Sequence, residues 1–198
     1  MPGIYLIVEG HGEERAVPRL IGNVCRHLSR GDFFIWPAYR VSRGSIVAGN
    51  GDMQQAVFTA GATINQAEGN GILFVLLDSD DDCAVTLAQS VRTKIHNMGF
   101  GFALSVVACV REYEGWFLTA ASSLVGAPNV RTNATDIENA ELIRDAKGTL
   151  ERQVLIPGRY YSPTVDQADF SSRLNVTQAL ASRSFAKFVK ELDLAVPT

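Results

Sequence analysis

The chain has 198 residues, 46% of them hydrophobic, with 18 Lys and Arg against 21 Asp and Glu and a formal net charge of −3. That length and apolar fraction predict one compact unit with a substantial core. The near-balanced charge excludes a global attraction to nucleic-acid phosphates, so any such contact must come from a local basic patch.

Several negative features narrow the class further. No apolar run approaches the ~20 residues a membrane-spanning helix needs, and the first residues lack a basic leader and cleavage site. The expectation is a soluble, cytoplasmic protein with no membrane partner. Cys25, Cys83 and Cys109 are too far apart for paired zinc or redox motifs, and read as buried thiols in a reducing compartment.

In chain order, residues 3 to 8 read as a strand. Ala16, Val17, Leu20, Ile21, Val24, Cys25 and Leu28 then recur at helical spacing, which predicts an amphipathic helix over 12 to 29. "FFIWPAYRV" reads as a second strand, and 52 to 67 as a helix through Met53, Ala56, Val57, Ala60 and Ile64. "GILFVLL" reads as a buried strand, the stretch from Ala84 to Met98 as a helix, and "FALSVVACV" as a fourth strand. Alternation of this kind predicts an α/β fold with a mainly parallel, Rossmann-like sheet and helices on both faces. After Gly126 the texture changes to a polar loop, a helix around 138 to 153, and a turn-rich "IPGRYYSP". A last helix follows, with Phe185, Phe188, Val189 and Leu192 as its apolar stripe and Ser182 or Ser184 as its cap. The division expected is an α/β core over 1–126 and a helical extension over 127–198, packed together as one unit.

Acidic residues cluster where these strands end. "YLIVEGHGEE" sets Glu9, Glu13 and Glu14 after the first strand, "LLDSDDD" sets Asp78, Asp80, Asp81 and Asp82 after the third, and "VREYEGW" sets Glu112 and Glu114 after the fourth. In an open parallel sheet, ligands gather at the carboxyl ends of strands, so these acids belong to one rim. Asp78 and Asp80, two apart, would point the same way in an extended segment and share a cation; Glu112 and Glu114 repeat the spacing. Mg²⁺ takes oxygen ligands from one or two carboxylates plus waters and phosphates, and the rim offers enough for two ions. Each acid also has a plain reading as a helix-start or solvated residue, and for Glu13, Glu14, Asp81 and Asp82 that reading weighs at least as much.

"VEGHGEE" followed by "LLDSDDD" resembles the Toprim fold of topoisomerases, primases and the OLD (overcoming lysogenisation defect) family nucleases. With "REYEGWFL" and the tail "YYSPTVDQADFSSRLNVTQALASRSFAKFV", the chain is similar over nearly its whole length to small standalone Toprim-like proteins of unknown function, some associated with phage defence. The resemblance implies a Mg²⁺- or Mn²⁺-dependent nuclease with two ions. Under it, Glu9 matches the glutamate that serves as general acid or base or as metal ligand, and Asp78 and Asp80 match the D-x-D ligands. Glu13 fits the second acid of an E-x-x-x-E pattern, Glu112 and Glu114 fit the later acids, and Lys147 fits a lysine near the scissile phosphate. The G-x-x-x-x-G-K-[ST] loop is missing from the chain, so the ATPase that OLD nucleases carry would have to be a separate, ABC-type partner.

Other residues are open to more than one reading. Arg40 and Arg43, with Arg159, could meet substrate phosphates of DNA or RNA at the rim, or be solvated surface charge. Gly10 and Gly12 would shape the turn and let a phosphate approach. His11, His27 and His96 receive no role, Trp116 and Phe117 read as core, and Tyr160 and Tyr161 read as packing residues. The rival functions are a non-catalytic, ligand-sensing subunit of an ATPase and a metal-dependent nucleotide-sugar transferase. The first glutamate cluster has no place in the second.

Overall fold

The computed structural model describes residues 3–31, 33–67 and 71–196. Two continuous apolar runs form its centre: β1 (Gly3–Val8), buried throughout, and β4 (Gly71–Asp78), buried but for its end residues. Strands covered on both faces need apolar side chains at every position, so the absence of alternation in these runs is what places them in the middle of a parallel sheet. β5 (Ala103–Cys109) pairs with β4 on the far side, and with β2 (Phe34–Ile35) and β3 (Tyr39–Arg40) the order is β2-β1-β4-β5, β3 also lying on β1 and every pairing in the sheet being parallel.

The expected strand "FFIWPAYRV" is broken into β2 (Phe34–Ile35) and β3 (Tyr39–Arg40), both laid against β1. Pro37 lies between them and has no N–H to give to a ladder. Trp36 N still donates to the Ile4 carbonyl (3.0 Å) and Val41 N to that of Val8 (2.9 Å), so the break is local.

Alternate β1 residues serve opposite layers. Ile4, Leu6 and Val8 face a cluster with α1 (Glu13–His27), α5 (Glu114–Thr119), α7 (Pro163–Arg173), α8 (Val176–Ala179) and α9 (Arg183–Ala195). Tyr5 and Ile7 face a second cluster with α2 (Arg43–Ala48), α3 (Asp52–Gln66) and α4 (Ala84–His96). The molecule is thus an α/β sandwich with helices on both faces.

Beyond residue 127 the chain packs into the first cluster rather than forming its own core. Ser182 caps α9 by accepting from Phe185 N (3.1 Å), Trp116 Nε1 donates to Ser184 Oγ (2.8 Å), and Phe188 meets Phe74 edge-on at 5.5 Å. The helix expected around 138 to 153 is interrupted. A 3₁₀ turn covers Ala140–Leu142, Ile143 is extended, and Asp145 then restarts the chain by accepting from Gly148 N (3.0 Å). The restart is α6 (Ala146–Thr149), which widens into a π-helical turn over Leu150–Val154. This interruption sets the position of Lys147. Among the described residues no helix is long and apolar enough to cross a membrane.

Candidate functional site

The register of β1 on β4, Gly3 with Gly71 through Val8 with Leu76, brings the two strands to the same edge of the sheet. Glu9 follows β1, and its Oε2 accepts from Asp78 N at 3.4 Å. Glu13, the first residue of α1, turns back so that its Oε2 accepts from Glu9 N (3.1 Å) and Gly10 N (3.2 Å). Asp78 Oδ1 accepts from Tyr113 N (2.8 Å), which ties the end of β4 to the start of α5. Glu114 opens that helix and is 1% exposed. From the extension, Lys147 Nζ stands 3.6 Å from both Glu112 Oε2 and Glu114 Oε2.

Five carboxylates from three strand ends therefore share the neighbourhood of one ammonium, and the proton affinities of Glu9, Glu13, Asp78 and Glu114 record the crowding. Burial, then the charges of Glu13, Glu114 and Glu9, push the Asp78 carboxyl well above the usual carboxylate range, with Lys147 opposing. Burial pushes Glu13 up to about 7, with Glu114 and Glu9 adding to it against two N–H donors. Glu114 is raised chiefly by burial, with Lys147 opposing. Glu9 is raised by burial and by Asp80, while the Asp78 N–H, Arg43 and Lys147 pull the other way. Burial would lower the Lys147 ammonium, but Glu114, Asp78 and Glu112 outweigh it and hold it above the ordinary lysine value. Like charges gathered in a poorly solvated place favour the protonated forms.

Glu112 Oε2 and Glu114 Oε2 are buried without a hydrogen-bond partner, as are Tyr161 OH and Gln167 Oε1. The Tyr161 hydroxyl faces Glu114 yet lies outside hydrogen-bond geometry. Orphaned anionic oxygens in such a setting call for a cation or ordered water, and carboxylate and carbonyl oxygens suit hard divalent ions. Among the described residues, no group of three or more His, Cys, Asp or Glu side chains forms a ready metal cage. The acids lie around Lys147 instead.

The acidic loop after β4 is built differently. The strand stops at Asp78: Ser79 is buried, and Asp80 takes a left-handed conformation (φ 48°). Asp78 and Asp80 consequently do not extend from one strand face as their spacing predicted. Ser79 N donates to the Cys109 carbonyl (3.0 Å), Ser79 Oγ accepts from Arg111 N (2.9 Å), and Asp80 N donates to the Arg111 carbonyl (3.0 Å), which fixes the loop backbone. Arginines then neutralise the side chains. Arg43 Nε meets Asp80 Oδ2 at 2.7 Å, and its other arm meets Asp82 Oδ2 at 2.8 Å and the Ser79 carbonyl at 3.2 Å. Asp81 Oδ1 accepts from Arg111 (2.9 Å) and Arg144 (2.7 Å), which hold its carboxyl below the usual range.

Arg40 aligns with Val8 at the same edge, is exposed, and makes no ion pair among the described residues. Glu112 and Glu114 were expected to share a side through extended spacing; α5 starts between them, and it is Lys147 that draws both together. Gly12 admits protein rather than ligand, since a Cβ there would lie 2.6 Å from the Pro163 carbonyl oxygen. His11 is exposed beside Glu14 (3.2 Å). Trp116 and Phe117 are core, as read, and Tyr161 packs on Phe170. Tyr160 is 82% exposed and so is not the packing residue expected. Cys83 is likewise exposed, at the start of α4, where "buried thiol" fits only Cys25 and Cys109.

Sequence reasoning missed Tyr161 as a neighbour of Glu114 and Arg111 and Arg144 as partners of the loop. Each lies at least 30 residues along the chain from the group it faces, and local spacing carries no signal at that range. A cavity of about 1090 Å³ lies elsewhere, between α4, the free edge of β5 and α9. None of the rim acids lines it; of its four carboxylates, Asp136, Glu141 and Glu191 are already taken up by Ser122, Gln178, Ser182, Ser184, Ser105 and Lys187, and Glu138 is exposed to solvent. The chemistry therefore points to the rim and not to the larger space. Compared with protein-family models, with curated proteins and with solved structures, the chain shows no match.

Proposed function

We propose that the chain is a metal-dependent nuclease of the Toprim-like class, hydrolysing phosphodiester bonds of DNA or RNA with water as the nucleophile. The observation that carries this reading is the convergence of Glu9, Glu13, Asp78, Glu112 and Glu114 around Lys147 at the carboxyl ends of β1, β4 and β5. In this reading Glu9, Glu13, Asp78 and Glu114 hold Mg²⁺ or Mn²⁺, with Asp80 joining from the loop beside them. Paired divalent ions supply activation of water and stabilisation of the attacking and leaving oxygens. The chain's own part is positional: the backbone N–H groups of Asp78 and Tyr113 fix Glu9 and Asp78, while Lys147 offsets negative charge developing on the phosphorus oxygens. Arg40 and Arg43 lie at the same edge and supply cations for the flanking phosphates.

The test is incubation of purified protein with labelled DNA and RNA in Mg²⁺, Mn²⁺ or chelator. Cutting should require the divalent ion and disappear in Asp78→Asn and in Glu9→Ala, with both variants folded by circular dichroism. Undiminished cutting by both would overturn the assignment.

A second reading is favoured by one feature: Lys147 and Arg43 already neutralise part of the acidic set in the resting protein. That arrangement suits an effector, of the kind used in phage defence, which cuts only when a separate ATPase rearranges it. Cleavage that appears only on adding that ATPase would favour this version.

A further inference from the structure

We propose that Arg43 is a positioning residue that exchanges partners: at rest its guanidinium clamps Asp80 and Asp82, and on arrival of a polyanion it passes to a phosphodiester group and frees Asp80 for the cation site. The inference rests on the nuclease reading and adds to it a route by which cation and polyanion bind cooperatively.

Three observations carry it. First, Arg43 uses both arms of its fork on the loop, at 2.7 Å to Asp80 and 2.8 Å to Asp82. A planar fork that fits two carboxylate oxygens also fits two phosphate oxygens, and it cannot hold both sets at once. Second, the arginine is the more enclosed partner of each pair. Arg43 opens α2 behind the Ser42 cap with its side chain 24% exposed, whereas the side chains of Asp80 and Asp82 are 58% and 61% exposed. Third, the loop backbone is held by Cys109 and Arg111 through Ser79 and Asp80, independently of the Asp80 and Asp82 side chains, so the turn does not depend on the clamp. Arg43 and Asp80 both act electrostatically on Glu9, which places the pair beside the cation site rather than remote from it.

Linkage fixes the consequence. If a polyanion draws Arg43 away from Asp80 it must tighten cation binding, and a cation that draws Asp80 away must tighten polyanion binding by the same factor.

The experiment is Mn²⁺ titration of the intact protein, read by the electron paramagnetic resonance of free Mn²⁺, on wild type, Arg43→Gln, Asp80→Asn and the double variant. Arg43→Gln should bind Mn²⁺ about five- to tenfold more tightly than wild type, a factor within the ordinary range of site coupling. The same substitution in the Asp80→Asn background should change affinity less than about twofold, because there is no Asp80 carboxylate to release. A phosphorothioate oligonucleotide should tighten Mn²⁺ binding to wild type and not to Arg43→Gln. Arg111→Gln, which removes one of the two arginines on Asp81 and leaves the Arg43 clamp on Asp80 and Asp82 in place, should behave as wild type. An equal gain from Arg43→Gln with and without the Asp80 carboxylate would show general charge repulsion and overturn the exchange, as would no gain at all. Wild-type protein that binds no Mn²⁺ would instead sink the nuclease reading, and this inference with it.

Discussion

Two acid-rich regions lie side by side in this molecule and handle their charge in opposite ways. Around Lys147, buried or half-buried carboxylates of Glu9, Glu13, Asp78, Glu112 and Glu114 share one ammonium, and those of Glu9, Glu13, Asp78 and Glu114 are all raised. In the loop from Ser79 to Asp82, three exposed carboxylates meet three arginines, and Asp81 is lowered. Equal acidity in the sequence thus conceals unequal compensation. The loop is satisfied by the protein itself, while the rim retains an excess of negative charge that only protons or an added cation can relieve. The difference teaches that site and scaffold among acids are told apart by the cations that fold beside them, not by the count of acids.

The largest expected effect exploits that excess. Glu13 has a folded-state pKa of about 7 against an ordinary 4.5, so between those values the folded state holds a proton that the unfolded state has lost. Stability from this group is therefore complete below pH of about 4.5 and is lost as the pH rises to about 7. At ~1.4 kcal/mol per unit of pKa the loss is on the order of 3 kcal/mol. Asp78, Glu9 and Glu114 act in the same direction. Urea unfolding in chelator across this range should show the decline, and Glu13→Gln should flatten it; a wild-type profile already flat would remove the contrast between the two regions. The lowered groups Asp81, Glu141, Asp145 and Glu191 contribute in the opposite sense and only below their ordinary values.

A smaller effect is expected from removing the ammonium that the buried carboxylates share. Lys147→Met leaves Glu112 and Glu114 without a counter-charge, and should cost about 1–3 kcal/mol in chelator at pH 8, the penalty of an unsatisfied buried acceptor. The loss should shrink at pH 5, since burial raises Glu114 and favours its protonated form. Equal losses at both pH values would mean that Lys147 acts by packing alone.

The smallest effect belongs to the loop. Arg144 and Asp81 are 71% and 67% exposed, and solvated pairs of that kind contribute little. Arg144→Ala should leave the unfolding midpoint close to that of the wild type and the profile between pH 4.5 and about 7 unchanged. A larger shift would show that the loop shares the rim's strain.

What the sequence made legible follows the range of the interactions involved. The apolar runs of β1 and β4, the stripe of α1, and the placing of Glu9 and Asp78 at strand ends are local patterns, and the structure repeats them. The split of β2 from β3 at Pro37 turns on a missing donor, and was readable in principle. The spacing argument for Asp78 and Asp80 assumed that the strand continues, and it ends at Asp78. Lys147 reaches Glu114 only because the chain breaks at Ile143 and restarts under the Asp145 cap. Arg43 with Asp80, Arg111 with Asp81, and Tyr161 beside Glu114 depend on segments brought together by the sheet and the extension. No periodicity encodes those meetings.

The most direct test of the shared cation pocket is thermal unfolding with and without Mn²⁺ at pH 8, on wild type and Asp78→Asn. With free Mn²⁺ at a hundred times its dissociation constant, binding should stabilise the wild type by about 2.7 kcal/mol, or roughly 5–10 °C in Tm for a chain of this size. Asp78→Asn, which keeps the Oδ1 acceptor for Tyr113 N but loses the charge, should melt at least as high as wild type in chelator and gain little from the ion. A wild type indifferent to Mn²⁺, or an Asp78→Asn variant that gains as much as wild type, would contradict the account.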